Sequence, residues 1–67
     1  MQQNFEEIVD SYINGQFTQM FNQVERFGWY MFSAELQVCD LVNDATKVKI
    51  LSQLIRQKFS MWATYVW

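Results

Sequence analysis

Apolar side chains recur along the chain at helical spacing, in blocks that polar or glycine-containing breaks divide. In the first block, Phe5, Ile8, Val9, Tyr12 and Ile13 fall at i, i+3, i+4, i+7 and i+8, one face of an α-helix. Asn4 with Glu7 three residues on makes a capping-box-like start, in which the amide oxygen accepts an early backbone N–H and the carboxylate reaches back. Asn14-Gly15 is predicted to stop this helix, because glycine takes the left-handed position after a helix end without strain. Phe17, Met20, Phe21, Val24 and Phe27 repeat the spacing, and Gly28 is the second stop. So short a connection predicts an antiparallel or steeply crossed helical hairpin.

Trp29 to Phe32 has strand propensity, but no second strand is visible for it to pair with. Phe32, Leu36, Cys39 and Val42 sit at helical spacing, which predicts a short third helix from about Tyr30 to Val42. The turn "NDAT" follows, with Asn43 or Asp44 opening a last helix that runs from Ala45 nearly to the end of the chain. At about 100° per residue, Val48, Leu51, Ile55, Phe59, Trp62 and Val66 form one continuous apolar stripe of that helix. Ile50, Leu54, Met61 and Tyr65 form a second stripe to one side, with Lys47 and Lys58 at the seam. A helix on one side of a small bundle needs one stripe. The first is expected to face the core, and the second is expected to be covered by the third helix or left for another molecule.

The fold class expected is therefore all-α, a single-domain bundle of four helices over residues 1–67, the third short and the last its spine. Composition sharpens this. A chain of 67 residues buries only about 60% of its unfolded surface, and many such domains recruit disulfides, metal or a second subunit. One cysteine and no histidine exclude an internal disulfide and remove the usual zinc ligands. Apolar burial is left to hold the fold, and 51% hydrophobic with 18% aromatic residues is rich enough to supply it. No window offers the roughly 18 uninterrupted apolar residues of a membrane span. The polar start "MQQNFEEIVD" reads as neither a secretory signal nor a transit peptide, and the expected location is the cytoplasm.

Charge is unevenly spread. Residues 1–44 hold seven acidic side chains and one arginine, a net of −6, while residues 45–67 hold four cations and no acid, a net of +4, which returns the overall −2. Such a chain can pair its acidic and basic surfaces within the fold, or between subunits head to tail.

Candidate chemistry is sparse. Without histidine the commonest general base is missing, and Ser-His and Cys-His dyads with it. Cys39 is expected mid-helix near the apolar face, with no cation in reach to activate it. No catalytic, cofactor-binding or metal-binding residue is assigned, and no cofactor is expected. Glu6, Glu7 and Asp10 make a solvated acidic patch, favoured near a helix N-terminus but incomplete as a cation site. Four cations divided between opposite helix faces make no nucleic-acid footprint, so direct binding to nucleic acid is not expected. The acidic N-terminal region could instead engage a basic protein or imitate DNA in part.

The segment "FNQVERFGWYMFSAEL" raises the question of an aromatic box. Phe21, Phe27 and Phe32 fit helical stripes, and so short a chain can hardly enclose a ligand cavity of a few hundred cubic ångströms. They are read as core. Trp29, Tyr30, Trp62, Tyr65 and Trp67 are surplus to such a core, and large amphipathic rings of this kind anchor protein interfaces. The predicted partner-binding set is Trp29, Tyr30, Ile50, Leu54, Met61, Trp62, Tyr65 and Trp67, with the partner another protein presenting a basic or apolar surface. Homodimerisation through the second stripe of the last helix is expected.

The start "NFEEIVDSYINGQFTQMFNQVERFG", with its helix-turn-helix opening "YINGQ", is similar to the small acidic helical accessory proteins of bacteriophages and prophages, anti-CRISPR inhibitors among them. That resemblance implies inhibition by occupying a surface of a host protein such as a nuclease or defence complex, often as a dimer. The alternative is a structural protein whose only partner is its own copy.

Overall fold

The computed structural model describes residues 4–66. Among them are four helices and no strand: α1 Phe5–Ile13, α2 Phe17–Phe27, α3 Trp29–Val38 and α4 Asp44–Val66. None is long and apolar enough to cross a membrane.

The breaks fall where local chemistry puts them. The Asn4 side chain accepts the Glu7 N–H at 2.9 Å and opens α1. At the other end, Gly15 (φ 74°) donates to the Tyr12 carbonyl at 3.0 Å and Gln16 to the Ser11 carbonyl at 2.8 Å. This is the paired hydrogen bonding of a Schellman stop, which satisfies carbonyls that the helix end leaves free. Gly28 ends α2 and starts α3 in one residue. Its N–H donates to Val24 and its carbonyl accepts from Phe32, at a φ of 109° that a side chain would strain.

α3 differs from the sequence expectation at both ends, and α4 starts one residue early, at Asp44. α3 begins at Trp29 and ends at Val38, four residues short of Val42. Cys39 leaves the helix with extended backbone (φ −78°, ψ 153°) because the chain must turn to present Asn43 as the cap of α4. The Asn43 side chain accepts the Thr46 N–H at 2.8 Å. Lys47 closes the corner by donating to the Gln37 carbonyl at 3.1 Å. Cys39 is therefore a half-buried residue at a helix end, packed against the core, and not a mid-helix thiol.

Ile8, Met20, Phe21, Val24, Phe32, Leu36, Ile50 and Leu54 form the core cluster. Phe5 and Phe32 stack at 5.4 Å between ring centroids, and Phe21 meets Trp29 edge-on at 5.7 Å. Phe21 and Phe32 are thus core and Phe27 is half-buried against it. Ile13 falls outside the core at 64% exposure, since the chain has already turned towards α2 when it is reached.

The main reversal is in α4. Ile50 and Leu54, expected on the stripe that the third helix covers or that is left for a partner and assigned to the partner-binding set, are fully buried. Of the longer stripe, Val48, Ile55, Phe59 and Trp62 are exposed, while Leu51 is half-buried against the core. Both faces are apolar, so periodicity cannot choose between them. The α2–α3 corner decides, by presenting its core to Ile50 and Leu54. Those two are accordingly removed from the interface.

Candidate protein interface

The buried residues of α4, Ile50 and Leu54, lie in its first half. From Ile55 to Tyr65 no residue is buried, although this half carries Ile55, Phe59, Met61, Trp62 and Tyr65. Phe59 and Trp62 sit one turn apart with ring centroids 6.1 Å from each other. With Ile55, Trp29 and the stem of Lys58 they bound an apolar notch of about 280 Å³. A notch of this size suits one large side chain of a partner.

Trp29 is the fixed wall of the notch. Its inner edge rests on Phe21, and its indole N–H donates to the Glu25 carboxylate. Lys58 reaches the same carboxylate at 3.3 Å and lies 5.7 Å from the Trp29 ring centroid. The indole donor, and then Lys58, hold the Glu25 carboxyl below the usual carboxylate range. The cluster ties α2, α3 and α4 together at the rim and orients the ring without closing the notch.

A second apolar surface lies on the outside of α3, where Tyr30 is 86% and Val38 79% exposed and Met31 is exposed as well. α3 buries only Phe32 and Leu36. Its outer face carries Glu35 with Asp40 just beyond, and residues 29–43 contain no lysine or arginine.

The acidic patch is divided. Glu7 and Asp10 line a polar crease of about 270 Å³ between α1 and α2, with Ser11, Asn14, Gln19 and Gln23. Glu6 borders a different hollow, with Phe5, Glu35, Cys39 and Leu41. Inside the first crease Ser11 and Gln23 are buried, with the Ser11 hydroxyl 2.7 Å from Gln23 Oε1 and 3.1 Å from the Glu7 carbonyl. Their pairing satisfies polar groups that would otherwise be buried alone.

Of the predicted partner-binding residues, the structure brings together Trp29 and Trp62, and leaves Met61 and Tyr65 exposed on α4 and Tyr30 exposed on α3. Ile50 and Leu54 belong to the core. Trp67 and the side chain of Val66 lie outside the described residues. Sequence reasoning missed Ile55 and Phe59 as surface residues because their stripe is the larger one and was given to the core. It also missed the Glu25–Trp29–Lys58 cluster. The i, i+4 spacing of Glu25 and Trp29 was a signal for its local half, whereas Lys58 is 33 residues away from Glu25. No protein-family model, curated protein or solved structure matches the chain.

Proposed function

We propose that this chain is a non-enzymatic protein-interaction module that works by laying the outer face of α4 on another protein. The observation that carries the reading is the half-helix from Ile55 to Tyr65, which holds large aromatic residues around a notch and buries none of them. Water is a poor neighbour for Phe59 and Trp62 together, and covering them supplies a driving force of about 25 cal/mol per Å². The absence of histidine supports a binding role over an enzymatic one. The resemblance to small phage accessory proteins makes the specific version an inhibitor that occupies a surface of a host nuclease or defence complex.

The test is an inhibition assay. Pure chain is added to a panel of CRISPR and other defence nucleases, beside the double variant Phe59→Glu/Trp62→Glu checked for unchanged helicity. The expected result is protection of the DNA substrate, lost by tenfold or more (on the order of hot-spot truncations) in the variant. Inhibition that survives the double substitution would sink the α4 reading. No inhibition of any nuclease would sink the specific version, and the module reading would then stand or fall on whether partners cross-linked in cells depend on Phe59 and Trp62.

A further inference from the structure

The opposite charges of the two halves of the sequence are scarcely used inside the fold. Among the described residues there are two ion pairs, and of these only Lys58–Glu25 links two different helices. The other, Lys47–Asp44, is a local contact within α4. Lys49 and Arg56 are exposed on α4, as are Glu35 and Asp40 on and beside α3. On helical geometry Lys49 and Arg56 run along one edge of the exposed apolar stripe, and Lys58 stands at the other. The molecule therefore displays two unpartnered apolar faces of opposite sign. The α4 face has Val48, Ile55, Phe59 and Trp62 beside Lys49 and Arg56, with Lys58 already paired to Glu25; the α3 face has Tyr30, Met31 and Val38 with Glu35 and Asp40, and Lys47 at the Gln37 carbonyl.

We infer that the α4 face of one copy docks on the α3 face of a second copy, as a heterologous, head-to-tail interface. The inference rests on reading α4's outer face as a docking surface and names what docks there. Charge decides the pairing. Two α4 faces laid together would set Lys49 and Arg56 against their own copies, with Asp44 the sole acid that α4 offers. Two α3 faces would set Glu35 and Asp40 against theirs. α4 on α3 brings cations to carboxylates while covering both apolar strips. An interface of this kind leaves one α3 face and one α4 face free on each pair, so association continues to a ring or an open chain. A foreign protein that takes the α4 face would compete with it.

The experiment is sedimentation equilibrium on the full chain over a wide concentration range, with far-UV circular dichroism to verify folding. Two exposed positions are changed. Phe59→Glu disables the α4 face and spares α3; Val38→Lys disables the α3 face and spares α4. The wild-type mass should rise with concentration, and association should weaken several-fold as ionic strength goes from about 0.05 to 0.5 M. Each variant alone should remain a monomer. Mixed in equal amounts they should form a pair that grows no further, because each supplies the face the other lacks. Should either variant lose helicity, Ile55→Glu and Tyr30→Lys replace them. A wild-type monomer at every concentration overturns the inference. So does self-association of Val38→Lys alone, which would mean a symmetric α4 dimer, or a mixture that stays monomeric. A monomeric wild type that still inhibits a partner through Phe59 and Trp62 overturns this inference alone and leaves the proposed function standing.

Discussion

α2 and α4 make opposite use of apolar surface. α2, of 11 residues, buries Met20, Phe21 and Val24 in the core, and its buried Gln23 is matched by Ser11. α4, of 23 residues, buries Ile50 and Leu54 and leaves Val48, Ile55, Phe59 and Trp62 in water. The first helix spends its amphipathic character on folding. The second buries Ile50 and Leu54 about one turn apart, packs half-buried Leu51 beside the core, and leaves its other large apolar side chains mostly exposed. Folding thus draws on one apolar surface of α4 and leaves the other exposed, and substitutions can separate the two.

The sharpest break of this comparison uses adjacent residues. Leu54→Ala empties a fully buried site and should cost about 2–5 kcal/mol. A chain of this length has on the order of 3–10 kcal/mol in total, so thermal melting should show a chain unfolded or nearly so. Ile55→Ala, one position on and 61% exposed, should shift stability by no more than about 0.5 kcal/mol. Equal losses at the two positions would mean that α4's outer face is packed on something within the chain.

A smaller effect is expected at the α2–α3 junction. A Cβ at Gly28 would meet Met31 at an ordinary 3.9 Å, so space is not the obstacle, but the φ of 109° is. Gly28→Ala should cost about 1–3 kcal/mol of strain, read as a lower midpoint in urea unfolding. A neutral result would mean the helices can join without this turn.

The smallest effect concerns the rim of the notch. The Glu25 carboxyl is held below its ordinary value of 4.5 by the Trp29 indole and then by Lys58. The ionised form is favoured by folding, so its contribution is complete above that value and is lost as pH falls through the lowered one. Glu25 is exposed, and the contribution is that of a screened surface contact. Glu25→Gln should lower the melting temperature slightly at neutral pH, and the gap from wild type should close below pH 4.5. A gap that persists in acid would assign the effect to packing around Trp29.

Helix number and stops were legible because each depends on a few neighbouring residues. Asn4 and Asn43 cap with their own side chains, and Gly15 and Gly28 take backbone angles that other residues avoid. The stripe of α2 was legible because it has one apolar side. The end of α3 was not, since Cys39 continues the helical spacing and only the placement of α4 turns it away. The site was half legible. Trp29, Tyr30, Trp62 and Tyr65 stand out as rings in excess of a small core, whereas their neighbours Ile55 and Phe59 look like core residues by pattern.

The sequence alone settled the number of helices, most of their ends and the separation of acidic from basic halves, because these follow from local hydrogen bonding, from spacing of 3.6 residues per turn and from counting charges. Only the tertiary structure decided which of α4's two apolar faces turns inward. That choice is made by the shape of the corner between α2 and α3, where there is room for Ile50 and Leu54, and it leaves the larger face, with Phe59 and Trp62, exposed.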